Sequence, residues 1–233
     1  MAIEEQSGAE RGLVQADGVQ NQLIPQPGPA EDFAVRTLTH DDVPVWYHVF
    51  CTRHYPQTRA ETFSEGWGDT RFAPILNDRG VPVHTYYLAS TAEAAFMESI
   101  LHDVCLSPPG LFEQASLKHF HLAQIRLPVA LRYVSFHSPF LPRLGLERGQ
   151  LIDTTAACYP QTRRWSEAAY RQCLDAQAIG YGSRRDDAAR CLMLFRDRLL
   201  DPPLAVLAVE PLASGPRRTQ LLALVRALKL HEV

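Results

Sequence analysis

The chain has 233 residues, of which 46% are hydrophobic, and its formal net charge is −3 at pH 7. A chain of this kind can bury one sizeable core. Its charges of both signs are interspersed, so the composition predicts no direct binding to nucleic acid or to an anionic membrane. Five cysteines without a C-x-x-C spacing predict reduced thiols rather than a disulfide framework. No apolar run approaches the ~20 residues that cross a bilayer, and the start lacks the basic residues of a signal peptide, so we expect a cytoplasmic protein.

The first 32 residues predict a flexible tail. They are poor in aromatic residues and rich in Gly, Gln, Glu and Pro, and the segment Pro25-Gln26-Pro27-Gly28-Pro29 lies near their end. Such a segment carries too little apolar surface to offset the entropy lost on ordering. The predicted organisation is therefore a tail over residues 1–32 and one domain over residues 33–233.

Two runs of β-branched and aromatic residues predict strands early in the domain, at residues 43–50 and 83–88. In the second run, the period of two places Tyr87 on one face of the strand and Tyr86 on the other. We expect Tyr86 to be the core residue.

A helix is predicted directly after this strand. Ser90-Thr91-Ala92-Glu93 matches the capping-box pattern, and the apolar residues that follow keep helical spacing as far as Val104. Glu98 lies at the edge of the apolar face, so we expect a half-buried carboxylate there.

The rest of the chain predicts strands at 122–127, 131–136, 191–195 and 204–209, and helices at 165–178 and 217–230. Strands and helices that mix without regular alternation predict an α+β fold. The last helix is amphipathic. Its apolar stripe suits either the core or a surface for a second subunit or another partner, which leaves a homo-oligomer open.

Four residues lie in local sequences that suit a nucleotide site. Arg71 ends the segment Gly66-Trp67-Gly68-Asp69-Thr70-Arg71, Tyr87 precedes Leu88-Ala89, Glu98 follows Glu93-Ala94-Ala95-Phe96-Met97, and Ser183 ends Gly180-Tyr181-Gly182-Ser183. In their order and spacing these segments resemble the RES domain, a family named after its arginine, glutamate and serine. The resemblance spans roughly Trp46 to Phe195.

The resemblance implies a single-domain ADP-ribosyltransferase-like fold with NAD bound in a cleft between the sheet and the helices. It also implies a toxin that depletes NAD or transfers ADP-ribose. A separately encoded antitoxin with an Xre-like DNA-binding domain usually holds such toxins inactive, and any DNA contact would be the partner's.

Cleavage of the nicotinamide N-glycosidic bond builds positive charge on the ribose. A fixed carboxylate stabilises that charge, and Glu98 is the candidate for this role. Arg71 offers a planar fork for the pyrophosphate, Tyr87 a ring to stack on nicotinamide, and Ser183 a hydroxyl for a phosphate or a ribose hydroxyl. The alternatives are ordinary structural roles, such as a surface ion pair between Glu98 and His102.

One position departs from the family pattern. Where the family commonly carries an arginine on its first strand, this chain has Tyr47-His48-Val49. Related folds often hold the adenosine ribose with a histidine there, so the resemblance makes His48 the candidate, with Arg53 as the alternative.

Other chemistries are weakly supported. His119 and His121 could bind a metal, but no third ligand has a supporting spacing, so we expect no metal. Two rival functions remain open: a protein ADP-ribosyltransferase on the same fold, and a catalytically silent nucleotide-binding or interaction module.

Overall fold

The computed structural model describes residues 23–233. Within this range the chain forms ten strands and four α-helices, joined by loops and short 3-10 turns. The strands are β1 (Val35–Leu38), β2 (Trp46–Cys51), β3 (Thr85–Ala89), β4 (Leu111–Phe112), β5 (Phe120–Arg126), β6 (Leu131–Ser135), β7 (Ala178–Gly182), β8 (Arg190–Phe195), β9 (Ala205–Pro211) and β10 (His231–Glu232). The α-helices are α1 (Ala92–Met97), α2 (Arg148–Leu151), α3 (Tyr159–Gln172) and α4 (Gly215–Ala227).

Eight of the described strands build one mixed sheet in the order β1-β6-β7-β8-β3-β2-β5-β9. Strands β6 and β7 run parallel, and the other neighbours run antiparallel. Each face of the sheet carries its own cluster of buried apolar residues, and the larger cluster includes residues of α1, α3 and α4. This arrangement confirms the predicted α+β class.

Alternation along β3 separates two adjacent tyrosines. Tyr86 packs into the smaller cluster, is 2% exposed, and donates its hydroxyl hydrogen to the carbonyl of Ala60. Tyr87 points to the opposite face, toward the larger cluster. The prediction that Tyr86 is the core residue is confirmed.

The sheet opens between β2 and β3. Strand β2 pairs with β5 along its whole length, but its described pairing with β3 is confined to Tyr47 and Ala89. Beyond that point the His48 side chain replaces the backbone ladder, because its Nδ1 lies 2.8 Å from the carbonyl oxygen of Tyr87. The result is a cleft in the sheet at the start of α1.

Helix α1 is shorter than predicted. Thr91 caps its start, since its hydroxyl accepts from the Ala94 amide at 3.1 Å, but the helix ends at Met97 instead of continuing to Val104. Glu98 is the C-terminal cap residue, where the chain leaves the helical path. The shorter helix turns the Glu98 side chain toward β7.

Helix α3 was predicted about six residues too late. It begins at Tyr159 and ends at Gln172. Of the residues predicted to complete it, 173–177 lie in the turn that follows, and Ala178 begins β7, a strand buried at every position. Gly180 lies within β7. A Cβ atom there would lie 2.5 Å from the Tyr133 ring, so glycine is required by packing.

The predicted tail lies mostly outside the described residues. Residues 23–32 are described, and they contact the body of the domain: Ile24 is 9% exposed, and the Trp165 indole donates to the carbonyl of Pro25 at 2.9 Å. We therefore propose that the domain begins near residue 23 rather than at residue 33.

Two N-terminal deletions test this boundary. Deleting residues 1–22 should leave the melting temperature nearly unchanged, because the composition of that segment gives it little apolar surface to bury. Deleting residues 1–32 should lower it, because Ile24 and the Trp165 hydrogen bond are lost, at about 1 kcal/mol or more together. Thermal unfolding followed by circular dichroism makes the comparison, and equal melting temperatures would restore the boundary at residue 33.

Among the described residues, no helix is long and apolar enough to span a membrane. None of their His, Cys, Asp and Glu side chains gather in a group of three or more that could hold a metal ion.

Candidate active site

The cleft between β2 and β3 continues into a cavity of about 420 Å³. This volume falls within the range of small-molecule sites, about 300 to 1,000 Å³. Its walls come from β2, β3, α1 and the turn after it, the loop that ends at Arg71, and the start of α3, with one residue each from β7 and β8. Arg71, Tyr87, Glu98 and His48 all line it, whereas Ser183 lies behind Glu98.

The Glu98 carboxylate is held from behind by the segment after β7. Its Oε1 accepts from the Ser183 hydroxyl at 2.7 Å and from the Arg184 backbone amide at 2.8 Å. Its side chain is 14% exposed, and Oε2 faces Arg71. One oxygen is therefore fixed by the protein, which orients the other toward the cavity.

Ser183 is fully buried, and its hydrogen-bonding capacity is occupied. A hydroxyl has one hydrogen and two acceptor positions; Ser183 donates to Glu98 and accepts from the amides of Arg185 and Asp186, both at 3.1 Å. In this geometry Ser183 orients Glu98. A direct contact with a phosphate or ribose hydroxyl stays a prediction, and it would require one of these bonds to break.

Arg71 is 4% exposed and lies beside Glu98 on the cavity wall. Its Nη1 is 3.7 Å from Glu98 Oε2, while Nε and Nη2 have no hydrogen-bond partner among the described residues. Leaving buried charged N–H groups unpaired is costly. An anionic ligand would satisfy them, which is the structural argument for a phosphate-bearing ligand here.

The local sequence explains why Arg71 stays at this position. The Thr162 hydroxyl donates to its backbone carbonyl, and the next residue, Phe72, is fully buried. Two acidic residues near Arg71 in the sequence are engaged elsewhere, since Asp69 pairs with Arg163 and Asp78 with Arg171. Arg71 is thus held by its backbone while its guanidinium faces the cavity.

Substituting Arg71 by lysine should weaken binding of the ligand even though the charge is kept. Lysine cannot offer two parallel N–H groups to phosphate oxygens, and we expect a loss of about tenfold or more in affinity for NAD. Calorimetric titration in a Glu98→Gln background measures binding without turnover. Arg132→Lys, at an exposed ion pair with Asp175, is the matched control. Equal affinities in the two variants would make Arg71 a structural residue.

Tyr87 contributes a ring whose hydroxyl is already engaged. Thr70 uses its hydroxyl hydrogen on the Ala73 carbonyl at 2.9 Å, so the contact of 2.7 Å between Thr70 and Tyr87 must be donated by Tyr87. Burial raises the pKa of Tyr87, and the hydrogen bond to Thr70 and the nearby Arg71 charge only partly offset this. Tyr87 therefore presents a neutral phenol to the cavity.

His48 does not reproduce the charge of an arginine. Burial lowers its pKa to about 4, partly offset by its hydrogen bond to the Tyr87 carbonyl. A carbonyl only accepts, so Nδ1 carries the hydrogen and Nε2 is an acceptor. The ring also stacks on Tyr86 with centroids 4.1 Å apart. His48 thus bridges the opening between β2 and β3 through its hydrogen bond to the Tyr87 carbonyl. A contact between His48 and the adenosine ribose stays a prediction.

This histidine should make the fold sensitive to acid. Its pKa is lower in the folded protein than the ordinary value of 6.5, so its contribution is fully present above pH ~6.5 and is lost as the pH falls toward ~4. Between pH 7 and 5 the loss should reach about 2 kcal/mol. His48→Asn keeps a donor for the carbonyl but cannot titrate.

Urea unfolding at both pH values should therefore show a smaller loss of stability in His48→Asn than in the wild type. Burial also lowers the pKa of His137 to about 4. Both the wild type and His48→Asn contain His137, so its contribution to the loss of stability is the same in the two proteins. His84→Asn, at an exposed position, is the control. An identical loss in all three proteins would contradict the assignment.

Sequence reasoning missed several cavity residues as parts of the site, among them Tyr159 and His102. The Tyr159 ring lies 5.9 Å from the Arg71 guanidinium, and its hydroxyl is 3.2 Å from His102 Nε2. The only sequence signal was the spacing of His102, four residues after Glu98, which suggested an ion pair. Tyr159 gave no signal, because its helix was placed too late.

The fold is a mixed sheet that opens beside a helix ending at a part-buried carboxylate. It is similar to a chain in the crystal structure of the M. tuberculosis MbcT–MbcA toxin–antitoxin complex, with a TM-score of 0.51 and 17% identity over 79% of this chain and 88% of that chain. Residues 45–212 match the RES domain family. The chain belongs to that family. No curated protein matches the sequence.

Proposed function

We propose that this protein binds NAD in the cleft between β2 and β3 and cleaves the bond between nicotinamide and ribose, with ADP-ribose transferred to water or phosphate. Glu98 stabilises the cationic transition state, Arg71 binds the pyrophosphate and Tyr87 packs against the nicotinamide. Membership of the RES family implies NAD as the substrate. No step of this scheme requires a metal.

One observation carries the proposal: a carboxylate and an incompletely paired guanidinium meet in one small cavity. Glu98 supplies negative charge where the ribose would become positive, and fixed charges in a dry site act strongly because they need no reorganisation. Arg71 supplies two buried N–H groups without partners among the described residues. A dinucleotide with a cationic nicotinamide and an anionic pyrophosphate complements both charges.

Purified protein incubated with NAD tests this directly. We expect free nicotinamide together with ADP-ribose or its phosphorylated form, detected by liquid chromatography and mass spectrometry. Attachment of the label from NAD to protein would instead identify a protein ADP-ribosyltransferase. Binding of NAD without any product would identify a silent nucleotide-binding module.

We further propose that the protein acts as a toxin controlled by an antitoxin. The similar M. tuberculosis protein was crystallised in a toxin–antitoxin complex. Expression of this chain alone should arrest growth and lower cellular NAD, and co-expression with the product of the neighbouring gene should relieve both effects. Growth arrest without a fall in NAD would separate toxicity from the proposed reaction.

A further inference from the structure

Three polar side chains on the cavity wall form a hydrogen-bonded chain beside Glu98. His102 Nδ1 lies 2.7 Å from Asp103 Oδ1, and His102 Nε2 lies 3.2 Å from the Tyr159 hydroxyl. All three residues line the same cavity as Glu98. Since an ionised carboxylate only accepts, Nδ1 carries a hydrogen, and the Nε2 of a neutral ring accepts from Tyr159.

Exposure increases along this chain from the cavity to the solvent. Tyr159 is 3% exposed, whereas the side chains of His102 and Asp103 are 23% and 95% exposed. A purely structural pair would gain little from an almost fully exposed partner, since exposed ion pairs contribute only about 0 to 1 kcal/mol. A graded path from a buried hydroxyl to an exposed carboxylate suits the movement of a proton out of the site.

We propose that Tyr159, His102 and Asp103 form a proton relay that activates a water molecule as the acceptor of ADP-ribose. The inference rests on the proposed function. Nicotinamide leaves with the electron pair of its bond to ribose, and the water oxygen forms a new bond to the same ribose carbon. The water proton passes to the Tyr159 oxygen as the Tyr159 proton passes to His102 Nε2. Asp103 stabilises the resulting imidazolium, which releases its extra proton to solvent.

The electrostatic surroundings explain why the phenol needs a partner. Burial raises the pKa of Tyr159, and the positive charges of Arg71 and Arg184 oppose this while Asp103 and Glu98 add to it. The phenol therefore stays protonated and cannot act as a base alone. Its coupling to an imidazole lets it accept one proton while it gives up another.

The relay should matter for water but not for an anionic acceptor. Water must lose a proton when it attacks, whereas azide carries none to lose. When both compete for the same ribose cation, the ratio of ADP-ribose to ADP-ribosyl azide reports on acceptor activation. This ratio does not depend on how well NAD binds or how fast nicotinamide departs, so a merely structural role of His102 would leave it unchanged.

The experiment measures this ratio by mass spectrometry in NAD with sodium azide, for the wild type, His102→Gln, Asp103→Asn and the control His84→Gln. We expect His102→Gln to lower the ratio about tenfold or more, since general base catalysis contributes about 10²- to 10⁴-fold. Asp103→Asn should lower it less.

Two results would overturn the relay: an unchanged ratio in His102→Gln, or equal losses of both products. If His102→Gln does not fold, the fully exposed Asp103 decides the question, and an unchanged ratio in Asp103→Asn then counts against the relay. A wild-type protein that releases no nicotinamide would overturn the proposed function itself, and the relay with it.

Discussion

Glu98→Gln should abolish turnover of NAD while leaving the fold and much of the NAD affinity intact. The amide keeps the shape of the side chain, and its oxygen can still accept from Ser183 and the Arg184 amide as the carboxylate does. What disappears is the charge that favours a cationic transition state over the ground state. We expect a loss of more than about a hundredfold in kcat, equivalent to roughly 3 kcal/mol.

Glu93→Gln provides the matched control on the same helix. Glu93 accepts from Gln220 at 2.7 Å and lies outside the group of residues that line the cavity. Steady-state release of nicotinamide gives kcat for both variants, and calorimetry gives the NAD affinity. An unchanged rate in Glu98→Gln, or an equal loss in both variants, would remove Glu98 from the catalytic role.

Deletion of residues 217–233 should unfold the domain. Three residues of α4, Leu221, Leu222 and Val225, are at most 5% exposed and belong to the larger core cluster. Burial of a large aliphatic side chain contributes about 1.5 to 3 kcal/mol. Losing all three approaches the whole stability of a domain, about 5 to 15 kcal/mol. The apolar stripe of this helix is thus part of the core, one of the two uses that the sequence left open.

A point substitution makes the same test without removing a segment. Leu221→Ala should lower the free energy of unfolding by about 2 to 5 kcal/mol. Leu174→Ala, at a side chain that is 75% exposed, should stay within about 0.5 kcal/mol of the wild type. Thermal and urea unfolding measure both. A deletion variant that melts at the wild-type temperature and still cleaves NAD would assign the helix to an interface.

Local patterns predicted what depends on neighbours in sequence. The period of two along β3 separated Tyr86 from Tyr87, and the order of the four motifs indicated the family, because each pattern spans only a few residues. The same patterns could not locate the end of α1. Arg185 donates hydrogen bonds to the carbonyls of Leu101 and Val104, although it lies 84 and 81 positions away in the sequence. The helical spacing of apolar residues carries no information about such distant partners.

Strand β7 shows a second limit. It is buried at all five positions, so it lacks the alternation that identifies a half-buried strand. Its glycine at position 180 is a packing requirement set by Tyr133, which lies on a different strand. The contact between Ser183 and Glu98 depends on this strand being in place, so the sequence named both residues but not their hydrogen bond.

The opening between β2 and β3 is held by a side chain and not by a loop. In a regular sheet, backbone hydrogen bonds set the distance between neighbouring strands near 4.8 Å, so most side-chain substitutions leave it unchanged. Here the imidazole of His48 spans the gap to the Tyr87 carbonyl. The opening at this point therefore depends on the length of one side chain, and we expect a substitution of His48 to change it while the pairing of β2 with β5 keeps the rest of the sheet in place.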